Sequence, residues 1–251
     1  MLLAIDVGNT DTKFGVSDGN TWTVWRKPTN DLSDAGEWLS HQFSNTPTLQ
    51  PLNASILKVG CACVVPSVEQ TITNVAKTLF RQEVLFLRAT MPFGLKVDYD
   101  PPESLGADRF ANCLGALKQF SPPIIVVDFG SATTFDVVQE NMYIGGAIMP
   151  GVKMQAEMLA RGTSQLPEAP LIVPDSAIGA STEQAIQAGI VFGHVGAVEG
   201  ILARIQTECA NCATVVATGG LSHLFIGATE AINHFVPNLT LDGIAAALQI
   251  S

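Results

Sequence analysis

"LLAIDVGNTDTKFGV", residues 2–16, and "IIVVDFGSATTFDVV", residues 124–138, are two spellings of one phrase. Each runs four apolar residues into an Asp, then an apolar residue, a Gly, a polar cluster containing Thr, and a return to apolar character. Laid over each other, Asp6 meets Asp128, Gly8 meets Gly130, Thr12 meets Thr134 and Val16 meets Val138. An apolar run followed by Gly and hydroxyl residues predicts a strand, a tight turn and a returning strand. Such a turn exposes several backbone N–H groups, which suits a phosphate chain. Thr10, Thr12, Ser131, Thr133 and Thr134 add hydroxyls, and Lys13 is the cation of the first phrase. Asp6 and Asp128 offer oxygen ligands to a cation accompanying the phosphates. One such phrase alone reads as an ordinary hairpin. Two copies, each on its own strand, are expected where two related turns clamp one polyphosphate across a cleft. There is no GxxxxGK[ST] and a strand follows each turn, so this is not a P-loop. "DFG" at 128–130 lacks the other protein-kinase motifs upstream and reads as coincidence.

The repeat has a longer grammar. Strands are expected at 2–7, 12–17 and 21–26, and a helix at 32–43 opened by Asp31 or Ser33. A strand at 55–65, a helix from Ser67 to Phe80, a strand at 83–89 and a helix at 106–120 complete the first half. The second half offers strands at 124–129, 133–139 and 142–149 and a helix opening at Pro150-Gly151. A Pro-rich loop leads to a long helix from Ser181; a strand at 213–218, a helix near 221–226, a strand around 232–236 and a last helix after Asp242 follow. Paired prolines in "QFSPP", 119–123, break the preceding helix. The expectation is two α/β domains with mixed sheets, residues 1–119 and 120–251, with a cleft between them.

The chain has 251 residues, 47% hydrophobic and 14% charged, which is enough apolar material for a core. Its net charge is −10 and no Lys/Arg cluster stands out, so nucleic acid is not expected as a partner. "MLLAI" is too short for a signal peptide. No run of apolar residues approaches the roughly 18 of a membrane span, the longest, Gly189 to Val198, being broken by His194. The five cysteines lack zinc spacing and read as small apolar residues in a reduced, cytoplasmic protein.

"SLGADRFANCLGALKQF" predicts a helix from Gly106 whose buried face carries Phe110, Leu114, Leu117 and Phe120. Asp108 in the first turn suits the helix dipole; Arg109 does not, unless it meets an anion. A carboxylate held by two parallel hydrogen bonds is the natural partner. The helix from Ser181 opens with "STEQ", a capping box with Ser181 or Thr182 at the cap. Its Gly189, Gly193, Gly196 and Gly200 share one face, predicting a second helix packed close against it. His194 has no ligand partner nearby in sequence and reads as packing or surface.

The paired turns resemble the acetate/sugar kinase, heat-shock and actin superfamily, whose two ribonuclease H-like domains bind ATP. Together with "YDPPESLGADRFAN", "YIGGAIMPGV" and "ATGGLS", they resemble the type III pantothenate kinase family, over nearly the whole chain. The resemblance implies ATP-dependent phosphorylation of pantothenate to 4'-phosphopantothenate, the first step of coenzyme A biosynthesis, with Mg2+ and a monovalent cation, K+ or NH4+. It implies Asp108 as general base. It places Asp6, Val7, Gly8, Asn9, Thr10, Asp11, Thr12, Lys13 and Ser131 on ATP, and Tyr99, Gly106, Ala107, Asp108, Arg109 and Thr182 on pantothenate. Asp128 would hold the monovalent cation, and Asp6 would lie near the magnesium–phosphate group. It also implies a homodimer, with Thr182 serving the partner's pocket. Ser131 stands where most relatives have Thr, and Asp100 where Asn is usual. Alternatives are a phosphotransferase with another small acceptor and a nucleotide-binding regulatory protein that has lost catalysis.

Overall fold

The computed structural model describes residues 1–19, 21–46, 56–210 and 212–250. Ser55, expected to open a strand, lies outside them. The chain divides into two compact units, Met1–Gln119 with Leu239–Ser251, and Phe120–Asn238.

In the first unit, β1 (Leu2–Val7), β2 (Asp11–Ser17) and β3 (Trp22–Pro28) form an antiparallel meander. α1 (Ala35–Ser44) leads to β4 (Lys58–Cys63), parallel to β1, and α2 (Glu69–Phe80) to β5 (Val84–Phe86), parallel to β4. The strand order is β3-β2-β1-β4-β5. A two-residue strand, β6 (Lys96–Val97), precedes α3 (Ala107–Gln119).

The two faces of this sheet differ in side-chain size, and the difference decides what covers them. Leu3, Ile5, Val7, Phe14, Val16, Val59 and Cys61 bury against Leu39, Phe43, Ile72 and Ala76 of α1 and α2. The opposite face has Ala4, Gly15, Gly60 and Ala62. It receives the last helix, α6 (Leu239–Ile250). A Cβ at Gly15 would stand 2.6 Å from Leu241 Cδ1, and one at Gly60 would stand 2.7 Å from Ile244 Cγ2. α6 also lies along α3 with backbones nearly touching: a Cβ on Gly243 would run into the Ala111 carbonyl, and one on Gly115 into that of Leu239. The Trp22 indole N–H donates to Asp242 Oδ1 at 2.7 Å, and Thr240 Oγ1 to Asn112 Oδ1 at 2.8 Å. The sequence division at residue 120 therefore misplaces α6. Its apolar face matches the small-residue side of the first sheet, so the chain's end returns there instead of staying with residues 120–238.

The second unit repeats the topology. β7 (Ile124–Phe129), β8 (Ala132–Gln139) and β9 (Met142–Pro150) form the meander. β10 (Thr214–Thr218) runs parallel to β7, and β11 (His234–Phe235) parallel to β10. The order β9-β8-β7-β10-β11 matches that of the first unit position for position. α4 (Val152–Gly162) and the 27-residue α5 (Thr182–Glu208) connect β9 to β10. The helix expected near 221–226 is a short 3-10 turn, Ser222–Phe225.

α5 corrects two expectations. By length and composition it is apolar enough to cross a membrane, because glycines and a lone His interrupt its apolar run without lowering its average much. Its inward residues Val195, Val198 and Leu202 belong to the core of the second unit with Ile125, Val127, Phe129 and Phe135. The close helix expected along its glycines is absent among the described residues: a Cβ on Gly189, Gly193 or Gly196 would meet nothing within 4 Å. The tight helix pair of this chain is α3 with α6.

Overpacking costs about 1–3 kcal/mol, and here the clash is with backbone. Gly243→Ala is expected to destabilise the fold by about 3 kcal/mol, read as a lowered urea midpoint. An unchanged midpoint would show that α6 does not need this approach.

Candidate active site

β1 ends in Asp6 and Val7, and the chain turns through Gly8, Asn9 and Thr10 before β2. The Gly8 N–H donates to Asp11 O at 3.1 Å, closing the turn. Register pairs Val7 with Thr12 and Asp6 with Lys13. Asn9, Thr10 and Asp11 are exposed, while Asp6, Val7 and Thr12 are buried. The Lys13 ammonium sits 3.2 Å from Asp6 Oδ2. The Asp6 carboxylate, costly if buried unpaired, thus has its counter-ion within the phrase.

Thr12 was expected to offer its hydroxyl to phosphate. It is wholly buried, and its Oγ1 lies 3.0 Å from that of Thr29. The Thr29 hydroxyl spends its one proton on Gly8 O, at 2.7 Å, so Thr12 donates to Thr29. With the Thr29 N–H donating to Thr10 O at 2.9 Å, Thr29 holds the turn from behind. Nothing in the local spelling of 2–16 signals Thr29, which arrives from the end of β3.

The second turn is built alike but is one residue shorter. Register pairs Phe129 with Thr133 and Asp128 with Thr134. Residues 130–132 therefore fill the space that 8–11 fill in the first turn. Thr133, not Thr134, is the structural counterpart of Thr12, and the letter-by-letter alignment slips after Gly130. Thr133 is likewise buried and likewise committed, its Oγ1 lying 3.1 Å from His194 Nε2. The Gln155 side-chain amide donates to Pro150 O at 2.9 Å and to His194 Nδ1 at 3.0 Å. Nδ1 is thus an acceptor, the proton is on Nε2, and His194 donates to Thr133. His194 packs between Phe129 and Phe225, fully buried, and burial pushes its imidazole down to about 4 from an ordinary 6.5. Of the two readings, packing holds and surface does not, and beyond packing it braces the second turn from α5.

Ser131 is exposed at the tip of this turn. Its carbonyl accepts from the Gly151 N–H at 3.2 Å. A Cβ on Gly151 would strike that carbonyl and would stand 2.6 Å from Gly130 O, so only glycine fits there. Gly219, at φ +99, presses on Asp128 in the same way: a Cβ would stand 2.5 Å from Asp128 Oδ1. Both glycines lie in motifs noted above, "YIGGAIMPGV" and "ATGGLS", which gave no hint of what they approach.

Of the residues that the resemblance places on pantothenate, Gly106, Ala107, Asp108 and Arg109 form the start of α3. The Phe110 N–H donates to Gly106 O at 3.0 Å, making Gly106 the cap residue. Asp108 Oδ1 accepts from the Arg109 N–H at 2.8 Å and lies where a Cβ on Gly106 would come within 2.5 Å. Glycine at 106 is what allows the carboxylate to fold back over the helix start. Asp108 is half-buried and Arg109 buried, as is Ala107. Tyr99 is half-buried ahead of them, and Asp100 is exposed; nothing in the structure explains its charge. In the second unit, Ser181 is the α5 cap, accepting from the Gln184 N–H at 3.2 Å. Thr182 is the first helical residue, so its hydroxyl is not used for capping. It lines a small, mainly apolar pocket of about 290 Å³ with Leu159, Leu166, Ile186 and Gly189. A larger groove of about 720 Å³ between α1 and α2 contains none of the expected site residues.

A family model described as type III pantothenate kinase matches residues 2–204. A type III pantothenate kinase of Roseiflexus sp. (strain RS-1) is 42% identical over 97% of this chain and 96% of its own length. One from Anaeromyxobacter sp. (strain K) is 39% identical over 97% of each. Among solved structures, a candidate Baf family transcriptional activator from Campylobacter jejuni has TM-score 0.62 at 18% identity, covering 99% of this chain and 98% of its own. The activator of 2-hydroxyisocaproyl-CoA dehydratase from Clostridium difficile, with bound ADPNP, has TM-score 0.51 at 10% identity, covering 99% and 96%. These two likenesses show the fold.

His194 generates a pH signature. Its folded pKa lies below its unfolded one, so the unfolded chain takes the proton first. The stability it contributes is intact above about pH 6.5 and lost as pH falls toward 4, by about 3 kcal/mol in all. Urea unfolding between pH 7 and 4 should show a steeper loss in wild type than in His194→Gln. Parallel curves would remove His194 from this role.

Proposed function

Because the chain belongs to the type III pantothenate kinase family, we propose that it transfers the terminal phosphoryl group of ATP to the primary hydroxyl of pantothenate. The products are ADP and 4'-phosphopantothenate, and the reaction opens coenzyme A biosynthesis. The observation that carries this reading is near-full-length similarity to named kinases, in a chain whose Asp108–Arg109 helix start and Asp6 turn are both intact.

Each group has a task that its surroundings support. The exposed residues of the first turn, Asn9, Thr10 and Asp11, bind phosphate oxygens, with Gly8 closing the turn and Lys13 adding charge from beside Asp6. Asp6 would offer its carboxylate to the magnesium–phosphate group, and Ser131 would offer its exposed hydroxyl to ATP. Among the described residues no three His, Cys, Asp or Glu side chains gather as a metal cage. That suits Mg2+, which keeps waters and binds through one or two carboxylates plus substrate phosphates. When bound, Mg2+ and a monovalent cation held at Asp128, K+ or NH4+, neutralise charge developing on the phosphates.

Tyr99, Gly106, Ala107 and Arg109 hold pantothenate, with the guanidinium on its carboxylate. Asp108 orients the acceptor hydroxyl. Phosphoryl transfer passes through a loose transition state, so the alcohol becomes acidic only late, as its oxygen bonds to phosphorus. Asp108 takes the proton at that stage and ADP leaves. The carboxylate folded over Gly106 is thus mainly a positioning acceptor that becomes a base at the end.

The protein works as a homodimer in the cytoplasm. All five cysteines are free, as a reduced compartment allows. Met154 and Met158 of α4, Phe192 of α5 and Ile172 and Ile178 of the loop between them are exposed, and a Cβ on Gly189, Gly193 or Gly196 of α5 meets nothing within 4 Å among the described residues. A second copy covers these residues, and Thr182 then serves the partner's pantothenate.

A coupled assay should show ADP formation that requires both ATP and pantothenate and rises with K+ or NH4+. Asp108→Asn should lower kcat by about 10²–10⁴ with nucleotide binding retained; a variant as fast as wild type would remove Asp108 as base. Light scattering should give a dimer, and Gly193→Leu, at a position where a Cβ meets nothing within 4 Å among the described residues, a folded monomer. A wild-type monomer would end the dimer reading.

A further inference from the structure

Thr218 ends β10 with its side chain fully buried, and its Oγ1 is a buried polar atom with no hydrogen-bond partner among the described residues. Burying a hydroxyl without a partner costs about 1–3 kcal/mol, so its surroundings call for an explanation. Parallel register sets Thr218 directly beside Asp128 of β7. Ile125, Val127 and Phe129 of β7 and Val215 and Ala217 of β10 point into the core of the second unit. Alternation sends Asp128 and Thr218 to the other face together. Two oxygen-bearing side chains therefore stand side by side at the carboxyl ends of neighbouring parallel strands, where ligands of α/β sheets collect. The next residue, Gly219, brings bare backbone against the carboxylate.

We propose that the Thr218 hydroxyl is an oxygen ligand of the monovalent cation held by Asp128. This rests on the cation reading of Asp128 given above. A hydroxyl offers lone pairs as well as a proton. Beside a carboxylate it would be repelled by phosphate oxygens on its acceptor side, while a hard cation takes hydroxyl and carboxylate oxygens together. One carboxylate with neutral oxygens balances a single positive charge. The unsatisfied hydroxyl is then a cost carried by the free protein and recovered on binding.

This predicts effects of opposite sign from one substitution. Thr218→Val keeps the shape and suits a strand, but removes the orphaned group. Melting is measured in tetramethylammonium chloride and in KCl at equal ionic strength, with and without MgADP. In tetramethylammonium the variant should melt at or above wild type. In KCl its K+-dependent rise should need about tenfold more K+, no less than removal of an outer-shell metal partner costs. Thr218→Ser should restore the wild-type K+ response.

Three results would overturn the proposal. A variant that melts lower in tetramethylammonium makes the hydroxyl structural. A K+ response equal to wild type removes Thr218 from the site. A weaker MgADP shift without K+ assigns the hydroxyl to the nucleotide. If wild type itself lacks a K+ response, the cation reading of Asp128 falls and this proposal with it. Wild-type turnover, measured separately, tests the kinase reading independently of all four.

Discussion

Each hairpin depends on a buried threonine whose hydroxyl is turned away from the turn it supports. Thr12 gives its proton to Thr29, and Thr133 takes one from His194. The net value of such a bond is about 1 kcal/mol, but leaving either hydroxyl buried and unbonded would cost about 1–3. The asymmetry fixes the geometry more strongly than the bond's own energy suggests. Once these side chains are committed to the scaffold, the residues each turn presents to solvent are those at its tip, Asn9, Thr10 and Asp11 in the first and Ser131 in the second. The two units reach this state with different partners, a threonine from β3 in one and a histidine from α5 in the other. The requirement is a braced turn; the brace itself is interchangeable.

A protein of net charge −10 that handles polyanionic nucleotide cannot rely on a general positive field. Its cations are instead placed singly. Lys13 is tied to Asp6, which keeps its ammonium at the turn while cancelling the carboxylate. Arg109 is buried at the start of α3, where a helix already presents positive partial charge. Placing a guanidinium there is unfavourable by itself, so its charge has to be met by groups around it. Gly106 acts in the same sense. It trades helix-forming tendency for space, and Asp108 uses that space to reach back over the helix start.

The repeated phrase was sufficient to read the architecture, because period-two alternation and a turn signal are local properties. The two strand orders then follow from right-handed parallel connections. What the letters could not carry was register. A turn shortened by one residue leaves composition almost unchanged while moving the structural counterpart of Thr12 from Thr134 to Thr133. The braces were equally hidden, since Thr29 and His194 reach their turns from elements 17 and 61 residues away. Asp108 and Arg109 were legible because a helix start constrains charge locally. Thr218 was not: an unsatisfied hydroxyl is defined by what surrounds it in three dimensions.

Glycine spacing misled for a related reason. Gly243 and Gly115 are not conspicuous as a pair, since they lie on different helices, yet their backbones come together so closely that neither tolerates a Cβ. Gly189, Gly193 and Gly196 form a conspicuous row on one helix, and a Cβ on any of them would meet nothing within 4 Å among the described residues. Glycine costs a helix interior about 1 kcal/mol relative to alanine, so the row in α5 costs its helix about 3. On α3 and α6 the cost is offset by close contact inside the first unit. On α5 no such close approach is found among the described residues, although α5 must present a regular face along its length to the core of the second unit. The row therefore stands as a net local cost to α5, which the core contacts of Val195, Val198 and Leu202 on its other side outweigh, and it leaves Phe192 exposed on the same helix.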